Sequence, residues 1–253
     1  MVTNKKELLT SLILTIFLGS FLLTSCNSNS VTDTSSSDNL SEIQVQPVST
    51  NSKKMFDNLP KLEGKAKVEL TVNGSPIVLE VNGDEAPVTA GNFVDLIQKG
   101  VYDGLAFHRV VKSPQPFVVQ GGDPQGKDPS FPVDRLGTGG YVDDSGRKRN
   151  IPLEIKLQGD SEPTYSKGLG QQSGVRSPNV VLNHERGALA MARSAAPDSA
   201  SSQFYIALAD LDFLDGDYAV FGKVLSGMDV VDNISQGDRI ESAKVIEGAE
   251  NLK

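Results

Sequence analysis

Residues 105–123 read LAFHRVVKSPQPFVVQGGD. They set one arginine, Arg109, between two short apolar runs, then bring in Phe117, Gln120 and the turn Gly121-Gly122-Asp123. Short runs of β-branched and aromatic residues bounded by Pro and Gly are strand signals. The same texture predicts strands over 106–111, 117–120, 188–193, 203–207, 219–224 and 239–247. Upstream, Val68, Leu70 and Val72 alternate with polar residues, Asn73-Gly74 follows, and Ile77, Leu79 and Val81 alternate again. Period-two patterning on both sides of Asn-Gly predicts a hairpin. Thr89 can cap a helix that turns Phe93, Leu96 and Ile97 to one side and stops at Gly100. Ser226, with Asp229 three residues on, opens a second helix whose apolar face is Val230, Val231 and Ile234, ended by Gly237. Many short strands and two helices predict a mainly β, closed, largely antiparallel architecture.

A chain of 253 residues with 38% hydrophobic and 22% charged residues can bury a sizeable core. Its net charge is −8. Lys5, Lys6 and Glu7 leave the amino terminus net positive, so the acidity belongs to the body. An acidic body speaks against binding a phosphate backbone, so nucleic acid is not expected as a partner. Cys26 is the single cysteine, and His108 and His184 are the two histidines. That inventory predicts no disulfide within the chain, no metal site and no cofactor.

Behind Lys5 and Lys6 runs an apolar stretch from Leu8 to Leu23, the pattern of an export signal. At roughly 16 residues it is short for a bilayer-spanning helix, which takes about 20. It ends in Leu23-Thr24-Ser25-Cys26, which resembles the signal box of bacterial lipoproteins, with Cys26 as the lipidated residue. An uncleaved anchor and an ordinary secretory signal are the alternatives. Residues 26–60 are rich in Ser, Asn, Thr and Asp and read as a flexible tether. The expected order is a signal peptide over 1–25, the tether over 26–60 and one folded domain over 61–253. Its location would be extracytoplasmic, as a membrane-anchored lipoprotein on the periplasmic or cell-surface side of a bacterium.

The stretch 105–123 and a second one, 187–224, carry a family resemblance. The second supplies A-L-A-M-A-R (188–193), S-S-Q-F-Y-I-A (201–207) and F-L-D-G-D-Y-A-V-F-G-K-V (213–224). Together, and in this order, they closely resemble the cyclophilin family of peptidyl-prolyl cis-trans isomerases over about 65–252. The resemblance implies an eight-stranded barrel with a helix over each open end. It implies Arg109 as the catalytic arginine and Gln120 as the residue that steadies it. Phe117, Tyr205 and Leu214 would form the proline pocket, with Ala192, Gln203, Phe213 and Tyr218 at its walls. The Arg193 backbone would bond an extended substrate, and His108 would pack as a neutral group. Relatives often carry Phe at Tyr205, Asn at Arg193 and Trp at Phe213, and the turn 112–116 is longer here.

The expected partners are proline-containing polypeptides and, through the lipid, a membrane; the protein is expected to act as a monomer. The competing reading is a non-catalytic module that holds proline-containing segments in the same groove. A hydrolase built on His184 with a serine and an aspartate has no nucleophile-turn motif behind it. Residues 141–184 depart from the compact family pattern and read as a long surface insertion with one strand around 153–157. Within it Gly168-Leu169-Gly170 lacks the glycine spacing and preceding strand of a phosphate loop.

Overall fold

Alternation decides the first two strands, β1 (Lys65–Val72) and β2 (Ser75–Asn82). Ala66, Val68, Leu70 and Val72 of β1, with Ile77, Leu79 and Val81 of β2, are buried, while the residues between them face outward. Asn73 (φ 51°) and Gly74 (φ 72°) both take left-handed conformations. A two-residue hairpin turn needs that geometry, and Asn-Gly tolerates it best. The computed structural model describes Phe56 and residues 58–253. The expected signal peptide, Cys26 and nearly all of the tether lie outside the described residues.

The chain continues through α1 (Pro87–Gln98), β3 (Arg109–Val110), β4 (Val118–Gly121), β5 (Glu154–Ile155) and β6 (Thr164–Tyr165). It finishes with β7 (Ala188–Met191), β8 (Phe204–Ala207), β9 (Val220–Ser226), α2 (Met228–Asn233) and β10 (Ile240–Glu247). Eight strands form one curled antiparallel sheet in the order β10-β1-β2-β9-β7-β8-β4-β3. The closed barrel expected from sequence is not what the ladder shows: β10 and β3 are its two edges and do not pair as strands. The reason is local. β3 is only two residues long, because the chain reaches it through irregular backbone at 104–108. That backbone nevertheless faces the start of β10. Gly104 N–H donates to Ile240 O (2.7 Å), Ile240 N–H to Leu105 O (2.9 Å) and Phe107 N–H to Asp238 O (2.8 Å).

Aromatic packing fills the inside of the curl. Phe93 of α1 stands 5.1 Å from Tyr102, 5.2 Å from Phe204 and 5.1 Å from Phe221, ring centre to ring centre. The contacts with Phe204 and Phe221 are edge-to-face, and pairs of that kind add stabilisation beyond the area they bury. The Tyr102 hydroxyl donates to Ser202 O (2.9 Å), so its burial leaves no orphaned donor.

Both helix starts differ from the sequence expectation. Helix α1 begins at Pro87, which suits a first-turn position, and Ala86 before it offers no capping oxygen. Thr89 is therefore inside the helix and not its cap. The capping oxygens come instead from the insertion: the buried Glu154 carboxylate accepts Val88 N–H (3.1 Å) and Thr89 N–H (2.7 Å). Burial pushes the Glu154 carboxyl above its usual range, and those two amides oppose the shift. Ser226 is likewise not a cap. It ends β9, and α2 starts after Gly227, which holds φ 85°.

The insertion is more than a surface loop. β5 pairs with β6, and Leu153, Ile155, Val180 and Ala219 form a small apolar cluster joined by Leu157 and Leu169. Ala219 precedes β9, so this cluster ties the insertion to the sheet. Replacing Glu154 with Ala strands two helix-start amides in a buried place. The expected cost is about 1–3 kcal/mol, or roughly 3–10 °C in midpoint temperature for a domain of this size. Thermal unfolding of the variant checks it; an unchanged midpoint would mean that the insertion does not brace α1.

Candidate active site

Arg109 is the exposed first residue of β3 and lies directly across from Gln120 of β4. One guanidinium nitrogen donates to Gln120 Oε1 (3.3 Å). Gln120 Nε2 donates onward to Gln203 Oε1 (3.1 Å), and Gln203 Nε2 donates to Gly139 O (2.7 Å). A chain of neutral amides thus fixes the arginine's position and leaves its charge without a carboxylate partner. Its guanidinium carbon also stands 5.2 Å from the centre of the Phe117 ring.

Beside it lies an apolar patch that is separate from the main core. Val118, Ala190, Tyr205, Ala207 and Val220 are buried in it, and Phe117, Ala192, Leu214 and Tyr218 pack against them half-exposed. Phe213 is 49% exposed and stacks on Phe117, with centroids 6.1 Å apart and planes 14° from parallel. All ten residues expected at the site therefore fall in one neighbourhood. A cavity of about 310 Å³ continues it past Gln120 and Gln203 to Gly137, Thr138, Gly139 and Arg193.

Sequence reasoning missed how the wall of this neighbourhood is held. Tyr205 is buried, and its hydroxyl lies 2.9 Å from His184 Nε2. On the other side of the imidazole, Nδ1 lies 2.7 Å from Asp215 Oδ1, which also accepts the His184 backbone N–H at 2.9 Å. In the tautomer that donates Nδ1–H to Asp215, Nε2 accepts and the Tyr205 hydroxyl donates to it. The hydroxyl that could have polarised the pocket is spent on His184. Among the described residues no serine bonds to this trio, and the hydrolase reading loses its histidine and its aspartate to a structural chain. Tyr205→Phe leaves a buried imidazole nitrogen without a partner. The expected loss is about 1–3 kcal/mol of unfolding free energy in denaturant titration; equal stability would show that the bond contributes nothing.

Asp123, from the Gly-Gly-Asp turn, anchors the far side. Burial works against its ionisation, but amide donors from Gly139 (2.9 Å), Gln125 (2.9 Å) and Gly137 (2.7 Å) outweigh it and hold the carboxyl below its usual range. His108 is buried, and that burial lowers its pKa and favours the neutral ring. Arg193 is held by neutral oxygens: Asp217 O (2.7 Å), Ser194 O (2.9 Å), Ala195 O (3.3 Å) and Gln172 Oε1 (2.9 Å). Its guanidinium lies over the Tyr218 ring at 4.8 Å. The Gly168-Leu169-Gly170 turn has no phosphate character. A Cβ on Gly170 would meet Asp215 O at 2.2 Å, so the glycine permits a close approach to an acidic turn.

With this geometry in view, the comparisons with known proteins bear on one family. The family model described as cyclophilin type peptidyl-prolyl cis-trans isomerase/CLD matches residues 67–250. The chain belongs to the cyclophilin family. A Synechocystis sp. protein named for a thylakoid lumen peptidyl-prolyl cis-trans isomerase is 41% identical over 207 residues, covering 78% of this chain and 51% of that one. A chloroplastic peptidyl-prolyl cis-trans isomerase of Arabidopsis thaliana is 36% identical over 214 residues, covering 78% and 46%. A peptidyl-prolyl cis-trans isomerase of Helicobacter pylori is 36% identical over 184 residues, covering 72% of this chain and 88% of its own. The chain thus spans about half the length of the first two relatives. Among solved structures, a Cryptosporidium parvum cyclophilin superposes with a TM-score of 0.51 at 23% identity, over 72% of this chain and 97% of that one. That match concerns the cyclophilin fold alone.

Proposed function

We propose that this cyclophilin accelerates rotation about peptide bonds preceding proline, and so assists the folding of exported proteins. The observation that carries the reading is Arg109, held by neutral amides at the rim of an apolar patch. Rotation is slow because the nitrogen lone pair is delocalised into the carbonyl, which sets a barrier of about 18–20 kcal/mol. In the twisted state the lone pair returns to the proline nitrogen, which can then accept a hydrogen bond. A donor aimed there binds the twisted state better than either planar one, which is what catalysis requires. The Arg109 guanidinium is a permanent donor, and the Gln120–Gln203 chain removes its freedom to swing away. Phe117, Tyr205 and Leu214 receive the proline ring, with Ala192, Gln203, Phe213 and Tyr218 around it. The backbone at Arg193 pairs with the extended peptide.

The non-catalytic alternative uses the same patch but gives Arg109 no task. Isomerisation measured without a coupling protease separates the two, since only the enzyme reading expects exchange that scales with protein concentration.

The finer points of the architecture belong to the same reading. This reading sets α1 and α2 over the two ends of the curled eight-stranded sheet, whose edges β3 and β10 do not pair as strands. For location, the export-like amino terminus and the Leu-Thr-Ser-Cys box support an extracytoplasmic, lipid-anchored protein, with residues 26–60 as its tether and 61–253 as the enzyme domain. The lumenal and chloroplastic names of two relatives fit export.

A further inference from the structure

The insertion reaches the edge of the proline patch, and it brings a cation there. Its turn at 169–176 is fastened to the segment that carries the pocket wall. Leu169 N–H donates to Gly216 O (2.8 Å), and Gln172 N–H to Asp217 Oδ2 (3.1 Å). Gln172 Oε1 accepts from Arg193 (2.9 Å). Between this turn and Phe213 lies an open cavity of about 570 Å³, lined by Gln171, Gly174, Arg176 and Phe213. Because Phe213 stacks on Phe117, the cavity continues the proline patch. Phe213, in the lining, is one of the five large hydrophobic residues exposed among the described residues, and a second, Val175, stands between the lining residues Gly174 and Arg176 in the turn.

The one charged residue in the lining is Arg176. It is exposed and makes no hydrogen bond or ion pair among the described residues. Arg109 and Arg193 also take part in none of the ion pairs among the described residues. Three guanidinium groups outside those ion pairs therefore follow the groove of a chain whose net charge is −8, although the buried Asp217 carboxylate lies one hydrogen bond beyond Gln172, the partner of Arg193. Asp212, exposed beside Phe213, is not part of the lining.

We propose that the insertion turn at 171–176 forms a subsite, continuous with the proline patch, that selects polypeptides carrying a carboxylate side chain a few residues from the proline. The proposal rests on the groove being the substrate groove, as argued above. The peptide's apolar atoms cover Phe213 and Val175, and its carboxylate pairs with Arg176.

The test uses proline peptides identical except for Glu or Lys at one position, placed on either side of the proline in turn. Dissociation constants are titrated for wild type, Arg176→Gln and Arg176→Glu at low ionic strength, with isomerisation followed on the same samples. On one side of the proline, wild type is expected to bind the Glu peptide about two- to fivefold tighter than the Lys peptide, the range of an exposed ion pair. The ratio is expected to shrink in Arg176→Gln, to fall further in Arg176→Glu, and to diminish with added salt. The same Glu-to-Lys ratio in all three proteins would overturn the subsite. A binding preference that follows Arg176 without any isomerisation would keep the subsite and remove the enzyme reading.

Discussion

Arg109→Ala is expected to lose on the order of a hundredfold in kcat/KM for a proline peptide, the scale seen when one preorganised transition-state donor is removed. Its fold should be untouched. Arg109 is exposed, and it contributes to the sheet through backbone pairing with Gln120, which alanine keeps. An unchanged midpoint temperature beside the lost activity would separate chemistry from structure. If the alanine variant isomerises as fast as wild type, the donor mechanism is wrong. The loss should appear mainly in kcat, because an interaction made only in the twisted state adds little to ground-state affinity. A lysine in its place keeps the charge but loses the planar fork that Gln120 orients.

Cys26→Ser is expected to move the protein from the membrane fraction to the soluble fraction, or to leave an uncleaved precursor. Two or more acyl chains at the mature terminus hold a protein stably on a bilayer, whereas one holds it only marginally, with an association constant of about 10⁴ M⁻¹. Serine offers no thiol for a thioether, so the lipid cannot be attached. Fractionation and detergent-phase partitioning of both forms read this out directly. Equal partitioning would make the stretch from Leu8 to Leu23 the anchor and end the lipoprotein reading. Among the described residues no helix is long and apolar enough to cross a membrane.

What could be read in advance divides by the range of the interaction. The hairpin around Asn73-Gly74 was legible because alternation and turn geometry are encoded within a few residues. The neighbourhood of Arg109, Phe117, Gln120 and Tyr205 was legible only through the resemblance. In isolation an arginine on a strand is a solvated charge, and its meaning comes from Gln120 and Gln203 across the sheet. The start of α1 was misread because its capping carboxylate, Glu154, arrives from a distant segment and Thr89 supplies a plausible local substitute. The strand expected around 153–157 is there as β5, but its partner β6 went unread because two residues are too short for any periodicity to register. His184 and Asp215 carried one usable signal. A buried tyrosine in an apolar patch requires a hydrogen-bond partner, and the chain has only two histidines to offer.

The central claim is catalysis at the Arg109 groove, and exchange spectroscopy of a short proline peptide tests it most directly. With protein present at a small fraction of the peptide, cis–trans exchange is expected to accelerate in proportion to protein concentration while the cis-to-trans ratio stays fixed, because a catalyst cannot move an equilibrium. Saturable binding of the peptide, with an exchange rate equal to that of the peptide alone, would contradict the claim and leave a module that holds proline segments without turning them.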